Sequence, residues 1–161
     1  MRTRHSQPDF QFARFTLSRH EFGIDVRSVR EIIKPREIKK ASGLPDFVEG
    51  FLRLRSIAVP VIDLRKRFSL DAVNNEHTRI IVCSIGARIA GLLVDNINDI
   101  GAGGKELAGE RNLASGPWAG CVEATLDSGE GPVMIINLDM LLSESEMKFF
   151  ETPIKATVDV T

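Results

Sequence analysis

Along most of the chain, apolar and polar residues alternate over short stretches with a period of two. In FQFARFTL, Phe10, Phe12 and Thr16 fall on one side and Ala13, Phe15 and Leu17 on the other, with Arg14 interrupting the first set. TRIIVCSI, RIAGLLVD, CVEATL and PVMIIN are further β-branched runs bounded by turn residues, and each predicts a strand. Three stretches predict short helices instead. VRSVREII sets Val26, Val29 and Ile33 on one side, LRKRF pairs Leu64 with Phe68, and SESEMKFF opens acidic and spaces Met147 three from Phe150. Many short strands with a few one-turn helices predict a mainly β fold of small barrels rather than a layered α/β fold.

One strand-like run raises a functional question. In GFLRLRSIAVPVIDLRKRF, residues 50 to 68, alternation places Phe51, Arg53 and Arg55 on one face and Leu52 and Leu54 on the other. Two guanidinium groups on one face of an otherwise apolar strand need a reason. Catalysis, nucleic acid, a protein partner and a merely wet surface are the candidates.

A weak internal echo organises the chain. Gly23, Ile24, Val26, Val29, Glu31 and Ile32 answer to Gly91, Leu92, Val94, Ile97, Asp99 and Ile100 at a constant offset of 68, with Asp25 against Leu93 breaking the match. Gly50 answers to Gly120 at offset 70, and Val61 to Leu64 with Phe68 answer to Ile135 to Leu138 with Leu142 at offset 74. Each copy ends on a buried strand, an Asp or Asn able to cap backbone N–H groups, and an apolar pair on a helical turn. The expectation is a tail over residues 1–8, two similar lobes over 9–150 divided near residue 90, and a second tail over 151–161. Each half alone has a meagre core, so the lobes are expected to pack together or exchange strands.

The 161 residues carry 21 basic and 22 acidic side chains, a net charge of -1, which speaks against a nucleic-acid or membrane-surface protein. No apolar run reaches the ~20 residues that span a bilayer, and MRTRHSQPDF lacks the apolar middle of a signal peptide, so a cytoplasmic protein without direct membrane insertion is expected. Cys83 and Cys121 lie in strand-like runs and read as small apolar side chains. His5, His20 and His77 have no neighbours at metal-ligand spacing, so neither a metal nor a cofactor is expected. DIGAGGKE has Asp99 and Glu106 where a phosphate loop needs Gly and Ser or Thr, and reads as a flexible connection. Asp63, Asp95 and Asp99 are better explained by capping and turn geometry than by acid–base catalysis.

Arg53, Arg55, Arg65, Lys66 and Arg67, interleaved with Phe51 and Phe68, are the best case for a nucleic-acid barrel, the alternative function. The absence of Tyr, a single Trp118 far away in sequence and the balanced charge weigh against it. LRKRF reads as a solvated helical face, above all at Lys66. Arg55 differs: its stem can lie along apolar neighbours while its fork meets a partner, or pairs internally with Glu31 or Glu49.

FGIDVRSVREII, LPDFVEGFLRLRSIAVPVIDLRKRF, TRIIVCSI, IAGLLVDNINDI and MIINLDMLLSESEM resemble, in order and spacing, the CheW family of chemotaxis coupling proteins over roughly residues 10 to 150. The resemblance implies two intertwined five-stranded SH3-like β-barrel lobes with short helices and no enzymatic activity. It implies an adaptor that links the cytoplasmic tips of chemoreceptors (methyl-accepting chemotaxis proteins) to the regulatory domain of the histidine kinase CheA, with ring contacts that would also allow self-association. Carried over by position, Arg55 matches a coupling arginine, Val29 and Glu31 match a receptor-binding groove, and Gly50 matches the glycine before the motif. Arg53 stands where the family usually has Asn, and Ser56 where it has Gly. If that last position needs φ > 0, Ser there costs roughly 1 kcal/mol and the turn changes shape. These departures leave open an adaptor of a divergent pathway, such as pili or social motility.

Overall fold

The computed structural model describes residues 4–108 and 116–151. A 3-10 turn (Arg4–Ser6) precedes the hairpin of β1 (Gln11–Leu17) and β2 (His20–Asp25). A second 3-10 turn (Val26–Ser28) leads into β3 (Val29–Ile33), followed by β4 (Val48–Leu54), β5 (Ile57–Asp63) and the one-turn helix α1 (Leu64–Arg67). Then come β6 (Arg79–Ile85), β7 (Arg88–Val94), β8 (Asn96–Ala102) and the two-residue β9 (Lys105–Glu106). The chain closes with β10 (Val122–Asp127), β11 (Pro132–Ile136), a 3-10 turn (Leu138–Met140) and α2 (Glu144–Glu151).

The strands form two sheets, ordered β8-β1-β2-β11-β10-β9 and β3-β6-β7-β5-β4. Apart from β9 the orders correspond strand for strand, and the echo in the sequence is the trace of that correspondence. Gly23 pairs with Ile135 in a parallel ladder, and its counterpart Gly91 pairs in parallel with Val61, the counterpart of Ile135. Even the bulges repeat. Arg30 is skipped where β3 meets β6 and Asn98 where β1 meets β8, while Glu49 and Glu123 are skipped in β4–β5 and β10–β11. This register makes Ala124, rather than Gly120, the counterpart of Gly50. Each repeat gives its first two strands to the other repeat's sheet, so the chain crosses between sheets at Asp25–Val29 and again at Val94–Asn96. The lobes are intertwined by this exchange.

Period-two burial divides the interior into three. Val59, Val61, Ile80, Val82 and Leu93 fill one barrel, Phe12, Ala124, Leu126, Val133 and Ile135 the other, and the alternate residues Phe15, Ile62, Ile81, Leu92, Met134 and Ile136 form a larger core between the sheets. Strands buried on both faces explain the nearly continuous apolar runs. The sheets curl because each middle strand has a glycine on its concave face. A Cβ on Gly23 would lie 2.7 Å from the Phe12 ring, and one on Gly91 would lie 2.8 Å from Ile80.

The second crossover is locked by a buried cation. Asp63 caps α1 through Arg65 N at 3.0 Å and holds the Arg65 guanidinium at 2.9 and 3.0 Å. The same guanidinium reaches Asp95 at 3.0 Å, Val73 O at 3.1 Å and Asn74 Oδ1 at 2.7 Å. Asp95 in turn accepts Ser18 N at 2.6 Å, which ties the β1–β2 turn to the same hub. Arg65 is 1% exposed. Burial alone lowers its pKa, but the bonds to Asp63 and Asp95 outweigh that, and the net shift is upward. LRKRF is thus solvated only in part: Lys66 is half-exposed on Glu49, whereas Arg65 points inward.

At the first crossover the charges are arranged differently. Asp25 accepts Arg27 N at 2.9 Å, the Arg27 guanidinium at 2.7 Å and Arg4 at 2.9 Å. The segment before β1, read as a tail, is held here, with His5 3.4 Å from Glu123 and Arg4 over the Phe10 ring. VRSVREII is helical only over Val26–Ser28; pairing with β6 takes its β-branched remainder into β3. DIGAGGKE, expected as a flexible connection, is the end of β8, a glycine turn and β9. Asp99 does not cap: it lies within β8 and binds Arg14 at 2.9 Å. SESEMKFF is helical as expected, with Ser143 and Glu146 in a reciprocal capping box at 3.1 and 2.7 Å. Of the expected C-terminal tail, residues 152–161 lie outside the described residues.

Two outcomes follow from these junctions. Arg65→Ala leaves the buried Asp63 carboxylate and the partly exposed Asp95 without their cation and should cost about 3–5 kcal/mol in urea unfolding, and Arg65→Lys, with three donors instead of five, should recover only part of this. Asp25 is shifted from 3.8 to about 2, chiefly by the Arg27 side chain. A carboxylate depressed in the folded state contributes stability above pH ~4 that is lost as pH falls toward 2, so Asp25→Asn should flatten the stability curve in that window.

Candidate functional site

Arg55 does not lie on a strand face as alternation predicts. β4 ends at Leu54, and Arg55 opens a two-residue turn in which Leu54 pairs with Ile57. Leu54 and Leu52 turn toward the barrel interior, Phe51 is buried and Arg53 is exposed, so the alternation holds up to the turn. The left-handed residue is Arg55 itself, at φ +57, while Ser56 is not among the positive-φ residues. The concern raised by Ser56 therefore moves one residue back. A left-handed non-glycine costs on the order of 1 kcal/mol. The counterpart of Arg55 in the other barrel is Gly129, at φ +90, where the same bend carries no such cost.

From this turn the guanidinium reaches the far edge of its sheet. Arg55 meets Glu31 on β3 in a two-pronged pair at 3.2 and 3.4 Å. The pair joins the hairpin of the β4 edge to the β3 edge and so closes the barrel seam. The other barrel is closed by a differently placed charge: Arg14 on β1 holds Asp99 on β8 at 2.9 Å and Glu130, in the β10–β11 turn, at 3.2 Å. Arg14 is mostly buried, but the Arg55 side chain is 74% exposed. An ion pair this open contributes little, typically 0.2–1 kcal/mol.

The remaining expected site residues separate into surface and support. Ile32, next to Glu31, is 41% exposed, and Ile57, at the end of the turn, is 50% exposed. Arg53 is exposed with no ion pair among the described residues, and Val29 is half-buried against the shared core. Gly50 is buried, at φ +138, and a Cβ there would stand 2.2 Å from Lys39 O. Its residue type is set by the close passage of residue 39, which bonds Phe51 at 2.7 and 2.8 Å and covers the β4 edge. Ile32 and Ile57 were not singled out from the sequence. Both look like core residues until pairing shows which face each occupies.

Burial pushes the Cys83 thiol up to about 12 and also raises Cys121, so neither is a ready nucleophile at neutral pH. No three His, Cys, Asp or Glu side chains among the described residues are arranged to hold a metal ion. His20 lies tilted against Trp118, with ring centroids 4.6 Å apart, and His77 is exposed beside Glu76. No helix among the described residues is long and apolar enough to cross a membrane.

Comparison with known proteins agrees with this architecture. The family model of the CheW-like domain matches residues 11–146. The chemotaxis protein CheW of Klebsiella aerogenes is 30% identical over 152 residues, covering 91% of this chain and 89% of its own. The chemotaxis protein CheW of Treponema pallidum is 26% identical over 145 residues, covering 86% and 85%. The crystal structure of the scaffolding protein TtCheW from Thermoanaerobacter tengcongensis superimposes with a TM-score of 0.76 at 27% identity, over 85% of this chain and 94% of that one. With two strand-exchanged barrels of matching order and a family match across nearly all of both, the chain belongs to the CheW family.

Proposed function

We propose that the protein is a non-catalytic chemotaxis adaptor that joins the cytoplasmic tip of a chemoreceptor to the regulatory domain of the histidine kinase CheA. The observation that carries this reading is the state of Arg55. Its backbone is held left-handed at some cost, and its cation is displayed in water, where its internal pair returns little stability. Folding alone favours glycine there. A guanidinium with one prong-pair on Glu31, with the exposed Ile57 closing its own turn and Arg53 unpaired nearby in sequence, suits an amphipathic helix that brings apolar contacts and an acidic or carbonyl acceptor.

The twin surface supports an adaptor with two different partners. Its counterparts of Glu31 and Ile32 are Asp99 and Ile100, the latter 53% exposed, but its hairpin carries Asp127 and Glu130 where the first has Arg53 and Ser56. One shape is thus presented with opposite charge, which discriminates between ligands by repulsion as well as attraction. The relatives' names place them in chemotaxis; an adaptor of a related pathway would use the same surfaces. Nucleic acid is disfavoured because neither surface is uniformly basic.

Two substitutions at one residue test the reading by co-sedimentation with receptor-tip and kinase fragments. Arg55→Glu should weaken association at least tenfold while moving the melting temperature by only a few degrees. Arg55→Gly relieves the left-handed backbone, so it should melt at the same temperature or higher, by up to ~1 kcal/mol in stability, and still bind poorly. Normal binding by both variants would remove Arg55 from the site.

A further inference from the structure

The two crossovers do the same topological job with unequal rigidity. At Val94–Asn96 the carboxylate of Asp95 is locked against a fully buried guanidinium, under a strap of residues 73 and 74. At Asp25–Val29 the carboxylate is served by exposed cations: the Arg27 side chain is 76% exposed and that of Arg4 49%. An open groove of about 530 Å³ lies beside them, lined in part by Arg4, Asp25, Arg27 and Ser84. The strand that leaves the soft crossover is β3, which carries Val29 and Glu31.

We infer that Asp25, gripped by Arg27 and Arg4, is a positioning clamp that sets the docking edge β3 without touching the partner. The inference rests on the adaptor reading of that edge. Asp25 holds the 3-10 turn through Arg27 N at 2.9 Å, and Val29 N closes the turn on Val26 O. Arg30 follows as the bulged residue, with its guanidinium on Ser84 Oγ at 3.0 Å. Turn and bulge together fix the rotation of the strand, and with it the direction in which Glu31 meets Arg55. If the clamp is released, the turn can unwind and Glu31 loses its register. Arg4 makes the N-terminal segment part of this control, because its guanidinium spans Asp25 at 2.9 Å and Glu123 at 3.7 Å.

The test uses the full chain and two readouts. In Asp25→Ala, amide exchange at Val29–Ile33 should speed up tenfold or more while β7 and β11 keep their protection, and affinity for a receptor-tip fragment should fall five- to tenfold. Arg4→Ala, at an exposed side chain, should do the same more mildly and keeps the test available if Asp25→Ala does not fold. The effect on binding should largely vanish in a Glu31→Gln background, since the clamp acts through Glu31; an effect that simply adds would overturn the inference. So would unchanged exchange and affinity in both variants. If the unmodified chain binds no receptor fragment, the adaptor reading fails, and the exchange rates of β3 alone decide the clamp.

Discussion

A guanidinium cannot stay inside a protein unless every donor finds an acceptor, and that requirement organises this molecule around Arg65. Its acceptors come from three places in the chain: the end of β5, the strap at residues 73 and 74, and the junction after β7. Through Asp95 the requirement extends to the β1–β2 turn, which belongs to the other sheet. Hydrophobic burial holds the two sheets together but would tolerate some sliding. The Arg65 network has one satisfactory geometry and therefore fixes their relation.

Duplication gave the two barrels the same strands, bulges and concave glycines, and divergence then changed where the charge sits. Arg65 is answered by Asp139 in the other copy, Asp95 by Arg27, and Arg55 by Gly129. One junction became a buried lock and the other an exposed clamp, and one hairpin became basic and the other acidic. In the proposed adaptor role, partner choice would follow from these substitutions more than from the shared frame, since a symmetric frame with symmetric charges would offer one partner two equal sites.

Most of the frame was legible in the sequence because period-two runs and the echo at a constant offset reflect ladder pairing directly. Asp63 and Asn137 could be read as caps since capping is local, and both accept the N–H two residues on. The strand character of Val29–Ile33 was not legible: Val26, Val29 and Ile33 satisfy a helical period, and only the non-local partner β6 decides against it. Arg65 was hidden for a similar reason. A one-turn helix with three basic residues looks solvated unless the strap and Asp95 are known to converge on it. For the candidate site, the sequence offered Arg55 by residue type but not its geometry, as Arg55 sits in a turn whose backbone sign depends on how β4 and β5 pair.

Strand exchange also has a consequence for synthesis. The β1–β2 hairpin leaves the ribosome before its sheet neighbours β8 and β11, which arrive only with residues 96–102 and 132–136. At ~5–20 residues per second, Phe12, Phe15 and Phe22 wait on the order of ten seconds for the surfaces that cover them. Every nascent copy therefore passes through a sticky stage, and its yield in the cell depends on what shields those rings until β11 has been made.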